Sequence, residues 1–249
     1  MVAIITGASS GLGEEFVKQI TTIFPEIDEF WLIARRKEKI EKFANELEYK
    51  KIKILSLDLS DDKSYEELNQ ILKEEKPNVK LLINNAGLGY YGPVKDISVE
   101  RQVNMIDVNV KALTAVSRIV LDYMEANAKI LLVSSIASFV PNANMTVYSS
   151  TKAYVTSFAR GLRYELKKQK ISVTVTCPGP MSTEFIEKAE IKSKTFDTLP
   201  YCNVQKVVKG SLKATKKGKF MHVPKGFYKL YRFLAKAIPH AWLMGITKT

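Results

Sequence analysis

The chain is short of several things. It has two cysteines in 249 residues, Cys177 and Cys202, in unrelated contexts with no metal-ligand spacing. That argues against a disulfide framework or a thiolate metal centre and reads as two reduced thiols. Its two histidines, His222 and His240, are not spaced as a metal pair, so no metal is expected. No apolar run reaches the roughly 18 residues that a membrane-spanning helix needs. The opening Met-Val-Ala-Ile-Ile-Thr-Gly lacks a basic leader and a long apolar region, so it reads as a strand and not as a signal peptide. A cytoplasmic protein is expected. Acidic residues are missing altogether from Thr198 to Thr249, a segment that holds 11 Lys or Arg. Most of the net charge of +12 therefore belongs to the tail, and the rest of the chain is close to neutral. A nucleic-acid binder of uniformly basic surface would not be built this way, and no nucleic-acid partner is expected.

What is present is a regular alternation. Short apolar runs bounded by turn residues predict strands at Val2–Thr6, Phe30–Ala34, Lys53–Leu57, Val79–Asn84, Lys129–Ser134 and Ser172–Thr176, with a short late one at Phe220–Val223. Segments of helical period lie between them: Glu14–Phe24, Lys37–Glu48, Lys63–Glu75, a long stretch Val99–Asn127, and Tyr148–Lys168. Phe16, Val17, Ile20, Ile23 and Phe24 share one face of the first helix. Val155, Phe158, Ala159, Leu162 and Leu166 share a face of the last. Six such alternations predict a doubly wound, Rossmann-type parallel sheet of about seven strands with helices on both faces. No linker divides the chain, so a single domain over 1–224 is expected, followed by a tail over 225–249. Pro178–Tyr201 is the least regular stretch and, directly after a strand, could serve as a flap over a site.

Between the first strand and first helix stands Thr6-Gly7-Ala8-Ser9-Ser10-Gly11-Leu12-Gly13. Glycines at these positions permit a tight turn and a close backbone approach, and the helix start offers free N–H groups to a pyrophosphate. Ser9 and Ser10 add hydroxyl donors. The second strand ends in Ala34-Arg35-Arg36. Where NAD-binding folds place a carboxylate on the ribose 2′-hydroxyl, this chain has guanidinium groups that could hold a 2′-phosphate. NADP(H) is the expected cofactor; the alternative is that both arginines are solvated surface charges.

Tyr148 and Lys152 stand four residues apart, one helical turn, so both leave the same helix face. An ammonium beside a phenol favours the phenolate and lowers its pKa from about 10. Such a phenol can exchange a proton near neutral pH. Ser135 lies 13 residues before the tyrosine.

With these pieces in place the chain resembles a short-chain dehydrogenase/reductase from Val2 to about Thr183. The motifs that carry the resemblance are the Thr6–Gly13 turn, Asp58-Leu59, Asn84-Asn85-Ala86-Gly87, Asn109 in Asp-Val-Asn-Val, Ser134-Ser135, Tyr148-Ser-Ser-Thr-Lys152 and Pro178-Gly179-Pro-Met-Ser-Thr183. The resemblance implies that Gly7, Ser9, Ser10, Gly11, Leu12 and Gly13 cradle the cofactor. Asp58, with Leu59 beside it, would bond the adenine, and Asn85, Ala86 and Gly87 would line its pocket and brace the sheet. Pro178, Gly179 and Thr183 would position the nicotinamide carboxamide. Tyr148 would be the general acid or base, Ser135 would bond the substrate oxygen, and Lys152 would bind the nicotinamide ribose and hold the Tyr148 pKa down. Asn109 would hold a water linking Lys152 to solvent. The expected activity is hydride transfer between NADP(H) and a ketone or aldehyde, with an apolar substrate such as a 3-oxoacyl or steroid-like carbonyl. The enzyme is expected as a homodimer or homotetramer. The alternatives are an NAD-linked alcohol dehydrogenase with the same residues, a catalytically idle NADPH-binding module, and a membrane-recruited scaffold.

In the tail, Lys225, Lys229, Arg232 and Lys236 fall at helical spacing among Phe227, Leu230, Tyr231, Phe233, Leu234 and Ile238, and Pro239 ends the run. This basic amphipathic helix could cover the substrate pocket, pack on a second subunit, or make peripheral membrane contact through 225–244.

Overall fold

The computed structural model describes residues 1–44, 51–191, 196 and 198–246. Seven strands form one parallel sheet: β1 (Val2–Thr6), β2 (Glu29–Ile33), β3 (Lys51–Leu55), β4 (Val79–Asn84), β5 (Lys129–Val133), β6 (Ser172–Thr176) and β7 (Met221–His222), in the order β3-β2-β1-β4-β5-β6-β7. Every pairing is parallel, with Ile5 opposite Leu32 on one side and Ile83 on the other. The central strands are buried on both faces, which is why they read as continuous apolar runs without alternation.

Helices α1 (Gly11–Ile23), α2 (Lys37–Ala44) and α8 (Val204–Lys216) cover one face. There Phe16, Val17, Ile20, Ile40, Val208 and Leu212 meet Ile5, Leu32 and Ile83. Helices α3 (Lys63–Glu75), α5 (Leu113–Leu121) and α6 (Thr146–Glu165) cover the other, with Leu68, Leu72, Val116, Val120, Val155 and Ala159 against Ile4, Leu82 and Leu132. The expected inward faces of the first and last long helices are buried as read, although Phe158 and Leu162 are only partly covered.

Several elements differ from the sequence expectation, among them β3, which begins two residues earlier than expected, at Lys51. The stretch Val99–Asn127 is not one helix. It is α4 (Val99–Ile106), a π-helical segment Asp107–Ala112 and then α5, which stops at Leu121. The six residues of that segment are fewer than the roughly 11–18 over which a helical period can be told, so apolar spacing does not disclose it. Helix α8 carries no expectation from the sequence. It opens on an Asn203 cap whose Oδ1 accepts from Lys206 N at 2.9 Å, and its buried Ser211 and Thr215 hide the apolar face from a hydropathy reading. The Lys37–Glu48 expectation extends past Ala44 beyond the described residues, and the irregular flap contains a short helix, α7 (Glu184–Lys188).

After β7 the chain continues into α9 (Gly226–Ala237) and α10 (His240–Ile246). Among the described residues no helix is long and apolar enough to cross a membrane.

Candidate active site

Strand order reverses between β1 and β4, and in open α/β sheets ligands bind outside the carboxyl ends of the strands at such a point. A groove of about 460 Å³ lies there. One end is built by the β1–α1 turn. Gly7 and Gly11 have φ of +65° and +57°, a region that disfavours any side chain. Gly13 is needed for a different reason: a Cβ on it would sit 2.0 Å from the Gly7 carbonyl oxygen. The turn is tied to the sheet by Asn85, whose Nδ2 donates to the carbonyls of Thr6 and Gly7, both at 3.1 Å. The Thr6 hydroxyl in turn accepts from the N–H groups of Asn85 and Ala86, each at 3.0 Å. Asn85 thus braces the turn and also lines the groove.

Arg35 and Arg36 part company. Arg35 is exposed and lies 3.6 Å from the Asp58 carboxylate. Arg36 reaches back over the glycine turn and donates to Ser9 Oγ at 3.3 Å and Ser10 Oγ at 3.2 Å. The same guanidinium bonds Glu184 at 2.9 Å, and Lys39 and Lys188 hold that carboxylate as well. These cations, Lys39 first, lower the Glu184 pKa to about 2. One carboxylate therefore straps the start of the flap to the cofactor turn. Glu184 was not singled out from the sequence, although it directly follows Thr183. Asp58 accepts from both the N–H and the hydroxyl of Ser60. Burial raises its pKa, but these bonds and Arg35 leave it lowered overall.

The other end of the groove joins β5, α6 and the turn after β6. Ser135 caps a 3₁₀ turn, its Oγ accepting from Ala137 N at 3.1 Å. Tyr148 and Lys152 are buried one above the other on α6, with the ammonium 5.7 Å from the phenol ring centre. Lys152 Nζ donates to the Val133 carbonyl at 3.1 Å. Burial raises the Tyr148 pKa to about 12, partly opposed by the Ser135 hydroxyl. Burial lowers Lys152 to about 8. Desolvation is the leading cause in both groups, and with a pKa of about 8 the lysine still carries most of its charge at neutral pH.

Asn109 lies in the π-helical segment, fully buried and off the groove wall. Its Nδ2 donates to Leu88 O at 2.8 Å and Thr151 Oγ1 at 3.0 Å, while its Oδ1 accepts from Leu88 N at 2.9 Å. A Cβ on Gly87 would meet Asn109 Oδ1 and Lys152 Nζ, each at 3.1 Å, so the two groups flank that glycine. Pro178 accepts from Ile136 N at 3.0 Å, which fixes the turn after β6 beside Ser135. Gly179 lies flush against Tyr228 of α9: a Cβ there would meet the ring at 2.3 Å. Tyr228 also donates to Pro200 O at 3.0 Å.

A family model for short chain dehydrogenases matches residues 1–194. The chain belongs to that family. A curated relative, an uncharacterized oxidoreductase of Staphylococcus aureus, is 32% identical over 184 residues, 73% of this chain and 78% of the relative. Among solved structures, a short-chain dehydrogenase from Sphingobium yanoikuyae in complex with NADPH superposes with a TM-score of 0.82 at 25% identity, covering 98% of this chain and 95% of the other. The bulky-bulky ketone specific alcohol dehydrogenase from Comamonas testosteroni gives a TM-score of 0.75 at 26% identity, covering 98% and 93%. This short-chain dehydrogenase is thus an oxidoreductase of a fold whose members bind nicotinamide dinucleotides.

Of the residues singled out from the sequence, only Gly13 and Asn109 lie off the groove, one behind the turn and one beneath Lys152. Helix α9, which the sequence allows as a cover for the pocket, reaches the groove, and aromatic residues from other segments join it there. Met145, Phe185, Phe196, Phe227 and Tyr231 line the part of the groove beyond Tyr148. Phe185 packs on the Tyr148 ring at 5.6 Å. Their positions in the chain carry no common motif.

Proposed function

We propose that this protein reduces an apolar ketone or aldehyde to the alcohol with NADPH, the reverse oxidation running through the same groups. The observation that carries the reading is the buried Tyr148 phenol, proton-bearing up to a pKa of about 12, in a groove that Ser135 shares with a largely apolar wall rich in aromatic residues. When bound, the nicotinamide supplies a hydride to the carbonyl carbon. Negative charge then develops on the substrate oxygen. Ser135 and Tyr148 both point donors at that atom, and Tyr148 gives up its proton to complete the alcohol. The resulting phenolate is answered by Lys152, which has a proton to give below about pH 8. Asn109 fixes Leu88 and Thr151 beneath the lysine, and a water on its free lone pair would carry the replacement proton inward.

The residues fit a dinucleotide. Gly11 holds positive φ, a Cβ placed on it would touch the Thr183 side chain at 3.5 Å, and the first turn of α1 offers its N–H groups to a pyrophosphate. Asp58 and Leu59 line the groove where the adenine would lie, and Pro178, Gly179 and Thr183 line it where the nicotinamide would. The NADP(H) reading is supported by the missing carboxylate after β2 and by Arg36, whose guanidinium already bridges two hydroxyls and a carboxylate as it would a 2′-phosphate. The substrate reading is supported by the aromatic wall and by the relative named for bulky ketones. A homodimer or homotetramer is supported by Val99, Val103 and Ile106 on α4 and Tyr154 on α6, all exposed.

The test is NADPH and NADH oxidation across a panel of acyl thioesters, steroids, aryl ketones and diketones. Turnover of at least one bulky carbonyl with NADPH preferred is expected. No turnover of any carbonyl with either cofactor would leave the idle binding module as the better account.

A further inference from the structure

Helix α9 was expected to have two faces, one cationic and one apolar, and the structure gives it three. Ala235 points inward and packs on Val140 and Phe139 just beyond Ser135, with Tyr231 and Ile238 beside it, while Tyr228 points inward against Gly179. Lys225, Lys229 and Lys236 form a stripe along one flank, and none has an ion pair among the described residues. The third face is apolar and bare. Phe227 is 56% exposed, Leu230 57% and Phe233 67%, and Trp242 on the following helix is 74% exposed. Large aromatic side chains left this open on consecutive turns mark a contact surface.

We propose that this face docks the protein on an anionic lipid bilayer, with the substrate groove opening toward the membrane. Charge selects the occupant. The segment from Thr198 onward has no Asp or Glu, so a twofold pairing of the strip would set one cationic rim near another with no acidic side chain in the segment to answer it. An anionic headgroup layer answers all three lysines while the bilayer boundary takes the aromatics. Position supplies the second argument. Phe227 belongs both to the bare face and to the groove wall, and Tyr231 behind it lines the groove as well. An apolar path therefore runs from the outer surface past Phe227 to Tyr148. The substrate class that fits is a carbonyl compound held in the bilayer, with its carbonyl near the headgroups.

The docking claim is tested with the full chain and vesicles of phosphatidylcholine, with and without phosphatidylglycerol. Co-sedimentation is expected only with phosphatidylglycerol and should fall with added salt. Lys229→Gln with Lys236→Gln should lower the partition coefficient roughly thirtyfold, two headgroup-facing cations being removed. Leu230→Ser with Phe233→Ser should lower it about tenfold or more, apolar insertion being lost. Both pairs should keep the parental melting temperature and the parental mass in sedimentation equilibrium. Absent binding to phosphatidylglycerol vesicles, or equal binding by the variants, overturns the proposal. So does a smaller mass in the apolar pair, which would make a second copy the occupant. The substrate claim rests on the proposed carbonyl reduction and is read separately. If a soluble ketone is reduced but a long-chain ketone in vesicles is reduced no faster by the parent than by the lysine pair, the membrane-facing groove fails and the reductase reading stands. If vesicles are bound and no carbonyl is reduced, the reductase reading fails and the docking surface stands.

Discussion

The two ends of the groove are held by different means. At the cofactor end the shape is set around the main chain: Gly13 lies directly against the Gly7 carbonyl, and two short polar side chains bond only to backbone, Asn85 on two carbonyls and Thr6 under two N–H groups. At the substrate end it is set by side chains from distant segments: Tyr228 on Gly179, Tyr228 on the Pro200 carbonyl, Phe185 on Tyr148. The first kind of contact tolerates almost no change of residue. The second tolerates change where the partner can change with it, which is how one cofactor scaffold serves many substrates.

Glycine-to-alanine substitution at each end tests that contrast most strongly. Gly13→Ala should cost more than about 3 kcal/mol in chemical denaturation, because backbone cannot yield to a Cβ as a side chain can. A second-site change should not restore it. Gly179→Ala should cost about 1–3 kcal/mol, and Tyr228→Ala in the same chain should recover part of that loss, since the clash is with a ring. Equal, additive losses at both ends would break the comparison.

Cofactor choice sharpens it at finer grain. Arg36→Ala should weaken NADPH roughly 10- to 100-fold, as loss of a charged hydrogen-bonding partner does, and leave NADH nearly unchanged. Arg35→Ala should show the same preference more weakly, its side chain being exposed and turned to Asp58. A titration measured by calorimetry at fixed salt decides between them. An equal loss for both cofactors would place the 2′-phosphate elsewhere.

The smallest effect concerns the buried lysine. Lys152 has a folded pKa of about 8, below the ordinary lysine value of 10.5. A depressed group adds stability above its unfolded pKa, and that stability is lost as pH falls through the folded one. The parent should therefore gain on Lys152→Met as pH rises from 8 toward 10.5, by about 1 kcal/mol between pH 8 and 9. Parallel stability curves would mean that the ammonium is not desolvated.

The contrast also explains what the sequence disclosed. The glycine turn, Asp58, the Asn85–Gly87 run and the Tyr148–Lys152 pair are local patterns, each carried by consecutive residues or one helical turn, so their place in the groove could be read in advance. Arg36 rather than Arg35 at the serines depends on which way β2 delivers its last residues, and composition does not record that. The strap at Glu184 and the contact between Gly179 and Tyr228 join residues brought together only by the fold. The π-helical segment Asp107–Ala112 escapes because six residues are too few for a change of helical period to show in the apolar spacing.

In the proposed mechanism the Tyr148 proton completes the reduction, and the cofactor end does not depend on it. Tyr148→Phe, assayed on any carbonyl the parent accepts, should lose roughly 100- to 10,000-fold in kcat while its Kd for NADPH stays within about twofold. A variant that reduces the same carbonyl as fast as the parent would contradict the account.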